Sequence, residues 1–233
     1  MTTIASNLQA VREAIASSAA AAGRSADEVA LLAVSKTFPA EAIREAFAAG
    51  QRRFAESYVQ EALPKIEALK DLGIEWHFIG PIQGNKTRHI AEHFAWAHSV
   101  DRLKIAERLA DQRPAGMPPL QLCLQVNISG ENSKSGAAPD EVLELAKTVA
   151  KLPNLVLRGL MAVPAPNVDV ALQRAAFAEL RRLHEMLKGE GLNPDTLSMG
   201  MSDDFASAIA EGATIVRIGS AIFGRRNYSE RKP

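Results

Sequence analysis

Apolar runs and amphipathic stretches alternate along this chain. Positions 3 to about 22 are alanine-rich with helical spacing, and Gly23 closes that segment. Apolar runs then predict strands over roughly 30–36, 52–57, 75–82, 96–101, 120–128, 156–164, 196–201 and 214–219. Helical stretches fall near 40–49, 58–71, 85–94, 102–112, 139–151, 170–189 and 203–211, and a short segment, 221–230, follows the last strand.

Strictly alternating strands and helices imply parallel strands joined by crossovers. Eight such units at this length predict a single closed (β/α)8 barrel with an additional N-terminal helix. An open doubly wound sheet is the alternative, but the segment after Val34 lacks the glycine-rich turn such sheets carry. No Gly/Ser-rich linker divides the chain, and the proline-rich spots 113–119 and 164–166 are loop-sized. Residues 1–233 therefore read as one domain.

Composition narrows the role. The chain has 233 residues, 47% hydrophobic and 23% charged, as in an ordinary globular protein. Twenty-seven basic residues balance twenty-seven acidic ones, which argues against nucleic acid or a membrane surface as the main partner. The single cysteine, Cys123, lies in an apolar run and reads as core. The start of the chain has no continuous apolar h-region and no stretch approaches a membrane span, so a cytoplasmic protein is expected. A monomer is expected, with a weak dimer as the alternative.

In such a barrel the C-terminal strand ends build the site. Lys36 stands at the end of the first strand, before Thr37-Phe38-Pro39. Read alone, it caps a strand with its head in water. Partly desolvated, it becomes a nucleophilic amine able to form a Schiff base with a carbonyl compound. Ser202, ahead of Asp203 and Asp204, reads first as a helix N-cap and second as a contributor to an anion site. Gly219 and Ser220 close the eighth strand, where glycine permits close backbone approach and serine can donate. Arg217 shares a face with Gly219 inside an apolar strand. Its charge calls either for an ion pair, with Glu56 or Glu75 as candidates, or for contact with a polar ligand. An amine, an anion site and an arginine at one face match the three needs of pyridoxal phosphate.

Several segments carry a resemblance. They are Val34-Ser35-Lys36-Thr37, Tyr58-Val59-Gln60-Glu61, Trp76-His77-Phe78-Ile79-Gly80-Pro81-Ile82-Gln83, Val126-Asn127-Ile128, Arg158-Gly159-Leu160-Met161, Leu197-Ser198-Met199-Gly200-Met201-Ser202-Asp203-Asp204 and Val216-Arg217-Ile218-Gly219-Ser220-Ala221-Ile222-Phe223-Gly224. In these the chain closely resembles the pyridoxal 5′-phosphate homeostasis proteins, whose fold is similar to the barrel domain of alanine racemase. The resemblance implies that Lys36 is the Schiff-base lysine and that Arg217 lies near the pyridine nitrogen. It also implies that Ser202, Gly219 and Ser220 fall in the phosphate-binding segments. Two departures stand out: Ser220 occupies a position that is often threonine, and Ser57 replaces the usual asparagine before Tyr58.

Other residues are read structurally. His77 is expected to be a hydrogen-bonded structural histidine more than a proton carrier. Met161, Met199 and Met201 are expected as core filler. Asn127, Ser129, Glu131 and Lys134 are expected either around the mouth or as solvated turn residues. His89 and His93 read as one helix face, and no metal site is expected.

The implied function is to bind pyridoxal 5′-phosphate in vitamin B6 and amino-acid homeostasis, without efficient turnover. Apo pyridoxal-phosphate enzymes are candidate recipients. The alternatives are a pyridoxal-phosphate-dependent racemase, whose two-sided proton transfer needs a second acid/base, and a Schiff-base aldolase.

Overall fold

The computed structural model describes residues 3–130 and 135–224. Eight parallel strands close in sequence order. They are β1 (Ala30–Val34), β2 (Arg53–Glu56), β3 (Glu75–Phe78), β4 (Trp96–Val100), β5 (Leu120–Gln125), β6 (Leu155–Met161), β7 (Thr196–Ser198) and β8 (Ile215–Ile218). The seam is β1 on β8, in the register Ala30↔Ile215 through Ala33↔Ile218. Helices α2 (Ala40–Ala48), α3 (Val59–Ala68), α4 (Thr87–His93), α5 (Leu103–Gln112), α6 (Val142–Val149), α7 (Val170–Gly189), α8 (Phe205–Ala210) and α9 (Ser220–Phe223) follow the strands in turn. The expected barrel is thus the fold.

The expected N-terminal helix is α1 (Ile4–Ala21). Thr3 and Ser6 form a reciprocal cap at its start, which satisfies two donors the helix leaves open. Its buried residues Leu8, Val11, Ile15 and Ala19 recur at three- and four-residue steps, so one stripe faces the barrel. That stripe packs against α2, α8 and α9. Helix α9 has only four residues, and α1 covers the β8–β1 seam that so short a helix leaves bare. Asn7 Nδ2 donates to the Ile222 carbonyl at 2.9 Å and pins the two together.

Alternation along each strand divides the core. Outward residues such as Phe54, Phe78, Leu122 and Val216 pack under the helices, whereas Leu32, Val34, Ala55, Trp96, Cys123, Met161 and Ile215 form a separate cluster inside the barrel. The interior also carries His77, His98, Ser198 and Arg217, all buried.

Strands end earlier than the apolar runs predicted. The third stops at Phe78, the fifth at Gln125, the sixth at Met161 and the seventh at Ser198. The apolar residues beyond are still buried: Ile82, Val126 and Met199 fold over the upper rim instead of joining the ladder. Hydrophobicity marks burial and does not by itself report strand pairing. Met201, expected as core, is 37% exposed because it lies past that rim. Of the expected final segment only residues 221–224 are described, and Glu131 and Lys134 lie outside the described residues.

One buried ion pair fixes the upper end of β1. Lys65 Nζ of α3 donates to Glu56 Oε1 at 2.8 Å and to the Ser35 carbonyl at 3.0 Å, and the Ser35 hydroxyl donates to the same carboxylate oxygen at 2.7 Å. Burial raises the Glu56 carboxyl above its ordinary range despite the lysine. Removing the lysine leaves a buried carboxylate alone, which costs about 3–5 kcal/mol. Lys65→Met should therefore lower the urea midpoint sharply at pH above about 7, and less at pH about 5, where the unpaired carboxyl takes up a proton. Adding Glu56→Gln should recover much of the loss, and equal destabilisation with and without it would refute the pairing.

Candidate functional site at the C-terminal strand ends

Lys36 continues the inward-facing alternation of Leu32 and Val34 and lies half-buried at the upper rim. The residue after it is strained. Thr37 holds φ at 70°, a left-handed conformation costly for a β-branched side chain. Its N–H donates to Glu61 Oε2 at 3.1 Å, while its hydroxyl is buried without a hydrogen-bond partner among the described residues. The fold thus holds the turn that presents Lys36 against its local preference.

Across the seam, Gly219 directly follows β8. A Cβ there would lie 3.1 Å from the Val34 carbonyl oxygen, tighter than ordinary contact, so a side chain would push the two strand ends apart by a few tenths of an ångström. Ser220 begins α9, whose first N–H groups have no partner within the helix. The Ser202 and Ser220 hydroxyls lie 3.5 Å apart, so the loops after β7 and β8 converge.

Ser202 is not the helix cap the sequence suggested. Gly200 turns the chain out of β7 at φ 93°, and the Asp204 carboxylate accepts the Met201 N–H at 2.6 Å. That local bond competes with helix formation, so α8 starts at Phe205 with Asp204 as its N-cap. Ser202 is left half-buried in the turn, facing Ser220.

Arg217 lies beneath these loops, 4% exposed, on the inner face of β8. Its Nη1 donates to the Ser198 carbonyl at 2.6 Å and to Ser198 Oγ at 2.8 Å, and its Nη2 donates to the Ala162 carbonyl at 2.8 Å. Neither expected carboxylate pairs with it. Glu56 points outward to Lys65, and Glu75 pairs with Arg53 at 3.2 Å. Burial lowers the Arg217 guanidinium to about 10, partly offset by Asp204, and it stays cationic at neutral pH. The Cys123 thiol, in the same interior, is pushed up to about 12 by burial and is an inert core group, as expected.

Four of the five histidines fall into two groups. His77 is fully buried and hydrogen-bonded at both ring nitrogens, to His98 and to Glu75, each at 2.8 Å, in keeping with a structural role. His98 in turn meets Ser198 Oγ at 2.8 Å. His89 and His93 share one face of α4, as expected, and Glu92 joins them with ligand atoms within 4.8 Å. That group lies on the outer helical layer, with Glu92 also 3.8 Å from Arg88. The sequence gave no sign that His98 and Ser198 belong beside Arg217; the signal available was polar residues on the inward register of buried strands.

A cavity of about 760 Å³ opens at the opposite, N-terminal mouth, lined among others by Arg53, Glu75, Trp96, Arg158 and Asp195. Its charges pair with one another, Arg53 with Glu75 and Arg158 with Asp195. The amine, hydroxyls and glycine backbone lie at the other end, where barrels of this class carry their chemistry.

These strand ends on a closed eight-stranded barrel define an alanine-racemase-type domain, and residues 6–227 match the family described as alanine racemase, N-terminal domain. Two curated relatives are similar over their full length. One is the pyridoxal phosphate homeostasis protein of Pseudomonas aeruginosa, 63% identical over 98% of both chains. The other is its Escherichia coli K12 counterpart, 55% identical over 99% of this chain and 100% of that one. The chain belongs to the pyridoxal phosphate homeostasis protein family. Among solved structures, PipY of Synechococcus elongatus without PLP superposes with TM-score 0.85 at 40% identity, covering 95% of this chain and 100% of that one. PipY with PLP bound gives 0.83 at 38%, with the same coverage. Alanine racemase of Clostridium difficile, 13% identical with TM-score 0.71, shares the fold over 87% of this chain and 54% of its own.

The buried imidazoles make stability depend on pH. Desolvation holds His77 below, and His98 well below, the ordinary imidazole value. Unfolded, both take a proton near pH 6.5. Below that pH the unfolded chain binds more protons than the folded one, so stability present above about 6.5 is lost on acidification. The slope is up to about 1.4 kcal/mol per pH unit for each ring. The urea midpoint should fall between pH about 7.5 and 5.5, and His89→Gln/His93→Gln on the surface should leave that fall in place. A midpoint independent of pH over this interval would contradict the neutral-imidazole interior.

Proposed function

We propose that this protein binds pyridoxal 5′-phosphate at the upper rim of its barrel and holds it without efficient turnover, as a cytoplasmic reserve of the cofactor within one barrel domain. Candidate recipients are apo pyridoxal-phosphate enzymes. The supporting observation is the tight β1–β8 seam, where Lys36 and Gly219-Ser220 come from adjacent strand ends and Arg217 lies beneath them. The names of the relatives and the PLP-bound PipY structure point the same way.

The residues present fit the group. Lys36 is the amine for its aldehyde, and the Ser202 and Ser220 hydroxyls with the Gly219-Ser220 backbone supply donors for its phosphate. When bound, pyridoxal phosphate supplies an electrophilic carbonyl carbon and an electron-withdrawing ring. Arg217 has protons to donate and no lone pair, so it can meet the ring nitrogen only as a donor and opposes a proton there. That keeps the ring a weak electron sink. Racemisation would further need a second acid/base on the other side of the ring. Of the candidates weighed from sequence, His77 and Tyr58 among them, His77 has both nitrogens engaged inside the barrel.

Lys36→Ala should abolish the visible absorbance of the loaded protein while the fold persists. Borohydride reduction followed by peptide mapping should label Lys36, and a different lysine as the main site would refute the assignment. Pyridoxal lacking the phosphate should bind weaker by orders of magnitude, since hydrogen bonds to a charged group are worth roughly 1.5–3 kcal/mol each; equal affinities would remove the phosphate site. Incubation of the loaded protein with alanine in deuterated water should give negligible exchange at Cα. Rapid exchange abolished by Lys36→Ala would instead establish an enzyme.

A further inference from the structure

Four contacts of one length cross the barrel interior. Arg217 Nη1 meets Ser198 Oγ, Ser198 Oγ meets His98 Nδ1, His98 Nε2 meets His77 Nδ1, and His77 Nε2 meets Glu75 Oε1, each at 2.8 Å. The line starts under the upper rim and ends at Glu75, whose side chain is 41% exposed in the cavity at the lower mouth. We propose that Ser198, His98 and His77 are positioning residues forming a directional hydrogen-bond relay, whose polarity is set by the charge state of Glu75 and read at Arg217. The part of this inference that concerns the bound cofactor rests on the function proposed above.

The proton positions follow from the inventory of donors. A guanidinium can only donate, so Ser198 Oγ accepts from Arg217. Its one hydrogen is then available to His98 Nδ1. A neutral His98 accepting at Nδ1 carries its hydrogen on Nε2 and donates to His77 Nδ1. A neutral His77 accepting at Nδ1 donates from Nε2 to the Glu75 carboxylate, which can only accept. Every group is satisfied, and each ring holds its hydrogen on Nε2.

The reversed line is also complete, but only with a proton on Glu75. His77 Nε2 would then accept from the carboxylic acid, His77 Nδ1 would donate to His98 Nε2, and His98 Nδ1 would donate to Ser198 Oγ. That oxygen would accept from both His98 and Arg217, and its own hydrogen would lose its place in the line. Arg217 donates to Ser198 Oγ in both states, but in the second it shares that oxygen with His98, so the oxygen it meets is a weaker acceptor. One proton bound at the lower mouth switches three hydrogen bonds and nothing is oxidised or reduced.

The surroundings keep the line isolated. Trp96 stacks on His77 at 5.2 Å and 11°, and lies 5.5 Å from His98. The ionisable groups facing the relay are Arg53 from β2, which pairs with Glu75, and Cys123 from β5. Asp204 faces Arg217 from the turn before α8. Arg158 of β6, paired with Asp195 at 2.6 Å, also faces the lower end of the line: its guanidinium lies 4.9 Å over Trp96 and acts electrostatically on Glu75.

Nitrogen-15 NMR of the imidazole rings in the cofactor-free protein tests the relay directly. At neutral pH both His77 and His98 should carry hydrogen on Nε2 and a bare Nδ1. Glu75→Gln, whose amide can donate or accept, should shift the ring-nitrogen signals of both histidines, including His98, which Glu75 does not touch. Asp195→Asn, a charge change at the same mouth, should leave His98 unmoved. In the loaded protein, Ser198→Ala should weaken cofactor binding roughly tenfold, and Glu75→Gln should move the visible band or its pH profile while Asp195→Asn does not. Nδ1–H on either ring in the wild-type protein, or a His98 signal indifferent to Glu75→Gln, would overturn the relay even if Lys36 is labelled by borohydride. Conversely, the expected tautomers in a protein that never takes up pyridoxal phosphate would leave the relay standing and refute the proposed function.

Discussion

A guanidinium buried in the middle of a barrel constrains everything around it. Arg217 is fully enclosed, and no carboxylate contacts it among the described residues. Burying a charge is costly unless its hydrogen-bonding capacity is met. Here the compensation comes from neutral lone pairs: two carbonyls and a serine hydroxyl supplied by the ends of β6 and β7. The Ser198 carbonyl serves twice, since it also accepts the Ala162 N–H at 3.3 Å. Burial keeps the neighbouring imidazoles neutral, with the Arg217 charge a lesser cause at His98, and the guanidinium sets Ser198 as an acceptor.

Above this layer, the geometry of the seam determines what the rim can hold. Val34 and Gly219 lie so close that a methyl group at Gly219 would force them slightly apart, and the strained Thr37 turn directly follows Lys36. The ion pair of Glu56 and Lys65 anchors the segment just before it. The rim is therefore assembled from supports outside it, which is how a strained residue persists.

Architecture was readable from the chain because strand and helix alternate with little ambiguity, and the short α9 did not hide the eighth strand. The expected boundaries ran long wherever apolar residues continued past a strand, as at Ile82 and Met199. Lys36, Gly219 and Ser220 were visible because their positions at strand ends follow from that alternation. The setting of Arg217 was not. Its expected partners Glu56 and Glu75 point elsewhere, one outward and one to the lower mouth, because period-two alternation assigns a face but not a height along the barrel. Ser202 was misread as a cap because a competing side-chain bond at Asp204, invisible in sequence, delays the helix. His98 and Ser198 meet across a gap of a hundred positions, and no local pattern reports such a contact.

The position of α1 across the β8–β1 seam has a consequence for biosynthesis. Asn7 and Ile222, joined by a hydrogen bond, are separated by 215 positions. The helix that covers the seam leaves the ribosome well before the strand it must cover. At roughly 5–20 residues per second, Lys36 waits on the order of ten seconds for Gly219 to be made. During that interval β1 has no partner strand on one side. The apolar stripe of α1 therefore stays uncovered until the last strand is in place and the barrel closes.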